Sequence, residues 1–343
     1  MSAGAAANFT VSVEGRAIEF PCDRGETVLN AAQRAGYELP YSCRKGVCGT
    51  CKCKLISGDM RAYSGDTLTE AEKAAGQVLL CQARPRSDLM IAPREIKKID
   101  PFARRTLTAR VFRIARVADD VTFVHLRFPA GIRIHFKAGQ NLEVILPDGE
   151  RRNFSMANPP YESDGVQLHI RHVPNGVFTS YVYDKLARGD LLRVELPFGA
   201  FSLKESDKPA LFVAGSTGFA PIKSIIEDAL RKGSRRQMTL YWGARTKSGL
   251  YSELPRKWQA QNPQFTYVPV LSDAPEAGIR SGLVHAAVLA DHRSLKGFQA
   301  YVCGPPVMTS AAKRDFLKAG LPEQDFFVDA FTTRADEPPN SAH

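Results

Sequence analysis

Four cysteines constrain this chain more than any other feature. Cys43-x4-Cys48-x2-Cys51 places three thiols in one tight loop, and 29 residues separate Cys51 from Cys81. Thiolates are soft ligands that suit iron–sulfur clusters or zinc. A structural zinc site more often shows two Cys-x2-Cys pairs at ribbon spacing. The Cys-x4-Cys-x2-Cys spacing with a distant fourth cysteine matches a [2Fe–2S] ligand set. Ser42, Gly46, Gly49 and Thr50 are small, so backbone N–H groups can approach the sulfurs and stabilise added negative charge. Cys22 and Cys53 lie outside the pattern and read as packed small apolar residues.

The rest of the composition sets limits on the class of protein. At 343 residues, 44% hydrophobic and 24% charged, the chain reads as two or three globular domains, not as a disordered or fibrous protein. Seven cysteines are too few and too uneven for a disulfide scaffold. Met1 to Asn8 carry neither a basic segment nor an apolar signal core, and no apolar run approaches the roughly 20 residues of a membrane helix. These features predict a cytoplasmic protein without a membrane span. The net charge of +10 raises nucleic acid as a ligand, but six Lys and Arg against two Asp and Glu fall within Ala92–Arg110 alone. That stretch has two prolines and no aromatic interleaving, so it reads as a linker, or as a docking strip for an acidic partner, and nucleic-acid binding is not expected.

Either side of the linker the hydrophobic rhythm differs. Phe9–Val13 and Ala17–Phe20 alternate around Glu14-Gly15 as a hairpin, Thr27–Ala35 has a helical apolar face, and Cys53–Ile56 and Val78–Leu80 read as strands. After the linker, Leu107–Val117, Val121–Phe128, Asn141–Leu146, Gln167–His172 and Leu191–Leu196 are β-like segments spaced as in an antiparallel barrel. From Lys208 strands alternate with helices, the pattern of a parallel α/β sheet. The expected architecture is a small β-rich domain over 1–91, a basic linker over 92–106, an antiparallel β-barrel over 107–206, a parallel α/β domain over 207–331 and a frayed tail over 332–343.

Two constellations beyond the cysteines carry chemistry. Arg152-Asn-Phe-Ser155 stands at the end of a barrel-like strand, and Gly176-Val-Phe-Thr179 opens a helix over Val177–Leu186. An arginine fork and a helix N-terminus together suit a pyrophosphate. Gly215-Ser-Thr-Gly-Phe-Ala-Pro221 follows a strand and precedes a helix, but lacks the G-x-G-x-x-G spacing of a standard Rossmann turn. Tyr301-Val-Cys-Gly-Pro-Pro306 places a second glycine at the end of a parallel strand, where α/β sheets bind ligands.

Through Leu39–Cys51 and Leu79–Gln82 the first domain resembles the plant-type ferredoxins, which implies a β-grasp fold. From Arg152 to Phe331 the chain resembles the ferredoxin–NADP reductase superfamily. The whole order resembles the reductase components of bacterial aromatic-ring oxygenases, and Tyr41–Gly46, Ser155–Asn158, Arg171–Pro174 and Phe219–Ser224 look most like terephthalate- and phthalate-type reductases. Reductases of the phenol hydroxylase type and CDP-6-deoxyglucoseen reductases share much of the pattern.

The resemblance implies an NADH-dependent oxidoreductase carrying FAD and a [2Fe–2S] cluster held by Cys43, Cys48, Cys51 and Cys81. Arg152 and the backbone of Gly176, Val177, Phe178 and Thr179 are expected on the flavin diphosphate, Phe154 against the flavin ring, and Ser155 near its reactive nitrogen. Phe154 stands where relatives have tyrosine, keeping the stacking face and losing the hydroxyl. Gly215, Thr217, Gly218 and Pro221 are expected to shape the nicotinamide dinucleotide site, with Cys303 and Gly304 beside the reactive carbon and Phe331 covering the flavin. Asp273 opposes a 2′-phosphate and favours NADH, whereas Arg245 favours NADPH. Nothing in the chain resembles an oxygenase centre, so a separate terminal protein is implied, and the resemblance makes a ring-hydroxylating oxygenase of Rieske type, acting on an aromatic carboxylate, the expected terminal component. The alternatives are a terminal protein of a deoxysugar or phenol system, or an electron carrier that lacks flavin.

Overall fold

The computed structural model describes residues 8–61, 65, 67–98 and 104–331. The chain divides into two compact units with the boundary between Phe102 and Ala103.

In the first unit, β1 (Asn8–Val13) and β2 (Glu19–Asp23) form the expected hairpin, followed by α1 (Val28–Arg34) and β3 (Tyr37–Glu38). Thr27 caps α1 by accepting from the N–H of Asn30. Then come β4 (Lys52–Ser57), α2 (Glu70–Ala74), β5 (Gln77–Leu79), β6 (Leu89–Ala92) and β7 (Lys97–Lys98). The sheet runs β2-β1-β6-β4-β5, with β1 and β6 parallel. Val28, Leu29, Ala31 and Ala32 of α1 bury against this sheet among Val11, Phe20, Leu79 and Ile91. A helix laid across a mixed sheet is the arrangement a β-grasp domain requires.

The linker expectation needs correction. Ala92 ends β6 inside the sheet, Ile96 is buried in the same core, and Lys97 and Lys98 pair with Glu38 and Tyr37. Ile96 supplies apolar surface and the ladder supplies backbone partners, so 92–98 is structured. At the other end, Arg105 and Thr106 already pair with Leu196 and Glu195. Residues 99–103, part of the loop before Glu72, and the tail 332–343 lie outside the described residues.

The second unit begins with a six-stranded antiparallel sheet. Its strands are β8 (Arg105–Ala118), β9 (Val121–Arg127), β10 (Asn141–Ile145), β11 (Arg151–Ser155), β12 (Gly165–Arg171) and β13 (Leu191–Phe198), with α3 (Val177–Asp184) between β12 and β13. The order is β11-β10-β13-β8-β9-β12. Ala157 N–H donates to the Gln167 carbonyl at 2.7 Å, drawing the two edges together into a barrel. Inward residues such as Val111, Leu126, Leu142, Val166 and Val194 fill it. Arg152-Asn-Phe-Ser155 closes β11 as expected, and that strand pairs with β10 along its whole length.

The remainder is a parallel sheet of β14 (Ala210–Gly215), β15 (Met238–Ala244), β16 (Phe265–Leu271), β17 (Arg280–Ser281), β18 (Gln299–Gly304) and β19 (Phe326–Ala330). Helices α4 (Phe219–Arg231), α5 (Leu254–Gln261), α6 (Val284–Asp291) and α7 (Pro306–Lys318) connect the strands. The order is β17-β16-β15-β14-β18-β19. The chain winds one way from β14 and then reverses to β18, so the crevice beyond β14 and β18 is a topological switch point. Both glycine loops found in the sequence open there. Among the described residues no helix is long and apolar enough to cross a membrane.

Candidate functional site

The cysteine loop is shaped by three residues with left-handed backbone, Arg44 at φ 59°, Gly46 at 77° and Gly49 at 72°. Such turns direct successive N–H groups inward, as anion-binding loops do. Lys45 N–H lies 3.4 Å from the Cys43 sulfur, and Gln82 Nε2 reaches the Cys81 sulfur at 3.9 Å and the Arg44 carbonyl at 3.2 Å. The four thiols associate as two pairs. Cys51 Sγ donates to Cys81 Sγ at 3.3 Å, and Cys48 hydrogen-bonds Cys43. That bond from Cys48, with help from backbone N–H groups, draws the Cys43 thiol down to about 7 against its burial. Two pairs fit a two-iron group in which each iron takes two thiolates. By contrast, burial pushes Cys22 and Cys53 up to about 12, as expected of packed thiols outside the ligand set.

The arginine and glycine motifs of the barrel meet at one edge. Arg152 on β11 pairs with Glu150 and donates to the Arg151 carbonyl at 3.0 Å. Phe154 packs against Phe178 of α3, ring centroids 5.4 Å apart. The first bond of α3 runs from Ser180 N–H to the Gly176 carbonyl, so the N–H groups of Val177, Phe178 and Thr179 form the turn a helix leaves unpaired. Gly176 carries no capping side chain, and the Thr179 hydroxyl is turned to Val173 instead. These donors fit a diphosphate, and the ring of Phe154 fits an aromatic ligand.

At the switch point the backbones are nearly in contact. A Cβ on Gly218 would lie 2.1 Å from the Cys303 carbonyl, so only glycine allows the β14 and β18 loops to meet. Gly215, Thr217 and Pro221 are buried beside it. Trp242 donates its indole N–H to the Ser216 carbonyl at 3.0 Å and stacks on Phe219 at 4.0 Å. Phe331 N–H donates to the Gly304 carbonyl at 2.9 Å, which fixes its backbone beside that glycine.

Three segments then converge on one carboxylate. Ser155 Oγ donates to Asp329 Oδ2 at 3.3 Å, and Cys303 Sγ lies 4.0 Å from the same oxygen. All three residues are buried. Burial, and then Asp329, push the Cys303 thiol well above its usual range, which disfavours the thiolate a nucleophile needs. Asp329 had no role in the sequence reading. Its sequence signal is its place two residues before Phe331, near the end of the short strand β19. The structure does not bring Arg245 and Asp273 into this cluster. They lie past the ends of β15 and β16, 3.8 Å apart and exposed.

These features define a class: an oxidoreductase with a thiolate-ligated cluster, a flavin barrel and a nicotinamide-dinucleotide sheet. The chain matches the 2Fe-2S iron-sulfur cluster binding domain over residues 11–86, the oxidoreductase FAD-binding domain over 108–203 and the oxidoreductase NAD-binding domain over 212–314. It is 43% identical over 332 residues to reductase component 2 of terephthalate 1,2-dioxygenase from Comamonas, covering 95% of this chain and 98% of that one. It is 36% identical to the CDP-6-deoxy-L-threo-D-glycero-4-hexulose-3-dehydrase reductase of Yersinia pseudotuberculosis, covering 94% and 98%. The crystal structure of an Amycolatopsis cytochrome P450 reductase superposes with a TM-score of 0.79 at 35% identity, covering 95% and 99%. The chain therefore belongs to the family of [2Fe–2S] flavoprotein reductases, with FAD, an iron–sulfur cluster and NAD as its cofactors.

Proposed function

We propose that this chain takes electron pairs from NADH and delivers them singly to the terminal oxygenase component, of Rieske type, of a system that hydroxylates an aromatic carboxylate. The observation that carries the reading is the convergence of Ser155, Cys303 and Asp329 where the barrel meets the switch point of the parallel sheet. A flavin bound there would supply the conversion between a two-electron donor and a one-electron acceptor.

The protein's own residues then have separate tasks. Arg152 and the first turn of α3 hold the diphosphate, and Phe154 offers the ring a face. Ser155 orients the flavin edge through a hydroxyl that Asp329 fixes. Gly215, Thr217, Gly218 and Pro221 seat the dinucleotide, Cys303 and Gly304 border its reactive carbon, and Phe331 shields the flavin until nicotinamide arrives. Asp273 engages Arg245, which removes a cation from the ribose end and favours NADH over NADPH. Cys43, Cys48, Cys51 and Cys81 hold the cluster, whose thiolate ligands suit the reducing cytoplasm.

Similarity to the Comamonas reductase component 2 at 43%, against 36% for the deoxysugar reductase, supports an oxygenase as acceptor. The test supplies NADH and this protein to the purified oxygenase of the Comamonas terephthalate system, with terephthalate present. Hydroxylated product formed only when this chain is added is expected. Failure there, with turnover of the CDP-6-deoxyhexulose dehydrase, would reassign the acceptor.

A further inference from the structure

Two motifs extend past the residues that face cofactors: Ser155-Met-Ala-Asn158 beyond its serine, and Phe219-Ala-Pro-Ile-Lys-Ser224 beyond its proline. In the structure their ends grip each other. Lys223 of α4 is only 7% exposed, and its ammonium donates to the Ala157 carbonyl at 3.1 Å and to the Glu227 carboxylate at 2.7 Å. Ser224, fully buried, donates to the Asn158 carbonyl at 2.7 Å. The Asn158 side chain accepts from Gln167 N–H at 2.8 Å and donates to the Glu162 and Gly165 carbonyls at 2.8 and 3.1 Å. The carbonyls that α4 grips are thus fixed to the barrel.

A buried ammonium is expensive, and an apolar side chain of similar volume would serve packing alone at least as well. What Lys223 adds is direction, a donor aimed at one carbonyl two residues after Ser155. Its helix begins directly after the Ser216–Gly218 turn. We propose that Lys223 and Ser224 are positioning residues for hydride transfer, a clasp that fixes the dinucleotide turn at a set height above Ser155. The inference rests on the flavin and nicotinamide sites assigned above. Hydride transfer needs reacting atoms about 3–3.5 Å apart, and a misplacement of about 1 Å can cost about a hundredfold in rate.

The test uses the full chain carrying both of its prosthetic groups, with Lys223→Met and the milder Ser224→Ala. The rate of flavin bleaching by saturating NADH is expected to fall about ten- to a hundredfold in Lys223→Met and about threefold in Ser224→Ala. Flavin content and half-saturation by NADH should stay within about twofold. The long-wavelength absorbance of a nicotinamide ring stacked on flavin should weaken in parallel, and amide exchange at Ala157 and Asn158 should quicken even without nucleotide. Unchanged bleaching in both variants overturns the clasp alone. So does a loss that only tracks flavin content or melting temperature, since that marks a structural role. An unaltered protein that binds flavin but is not reduced by NADH overturns the functional reading and the clasp with it.

Discussion

Cys303 and Asp329 are register partners on adjacent parallel strands, and the sulfur stands 4.0 Å from the carboxylate that also accepts from Ser155. Ser155 reaches that carboxylate from the barrel, so one acid joins two domains at the point where hydride is expected to cross. Asp329→Asn keeps the shape and removes the charge. It is expected to slow flavin reduction by NADH about tenfold or more while flavin content stays unchanged, measured by stopped-flow absorbance. Unaltered rates would remove Asp329 from the site.

Trp242 holds the turn from the other side. Its bond to the Ser216 carbonyl secures a residue at φ 50°, a left-handed conformation that costs serine energy. Trp242→Phe loses that bond and some of the stack on Phe219. The variant is expected to be less stable by about 2 kcal/mol and to show a raised KM for NADH, read by thermal unfolding and steady-state kinetics.

Coenzyme choice should turn on Asp273. The pair with Arg245 is exposed and contributes little to stability. Asp273→Ser frees the guanidinium and removes the repulsion, so the ratio of kcat/KM for NADPH over NADH should rise about tenfold or more with melting temperature unchanged. A ratio that does not move would place the ribose elsewhere.

His169 makes folding stability depend on pH. Burial, with the Lys223 charge adding to it, pushes its pKa down to about 3, and its ring meets the Tyr251 hydroxyl at 3.0 Å. Unfolded, the imidazole takes a proton near the ordinary value of 6.5, whereas folded it stays neutral down to about 3. Stability from this group is therefore complete above about pH 6.5 and declines as pH falls toward 3, by at most about 1.4 kcal/mol per pH unit. The melting temperature of His169→Gln should fall less steeply than that of the unaltered protein between about pH 7 and pH 5. Equal slopes would contradict the assignment.

What could be read in advance was what local spacing encodes. The cysteine loop needs only its own residues to bring three thiols together, and β14 with its glycine turn is a short apolar run closed by punctuation. Asp329 was invisible because its meaning depends on β19 lying beside β18, a pairing between segments separated by a whole helix. Likewise α6 has apolar residues on nearly every side, so no period marked it, and β6 is four residues long. Ile96 and Lys97 look like linker because the core that buries Ile96 and the strand that pairs with Lys97 lie far back in the sequence.

The most direct measurement is an anaerobic visible titration of the purified protein with NADH, repeated with NADPH. The account predicts that flavin and iron–sulfur bands both bleach, with uptake of about three electrons per chain and NADH much the better donor. An absent flavin band, or bleaching only by an external reductant, would contradict it and leave the protein as a carrier of electrons from elsewhere.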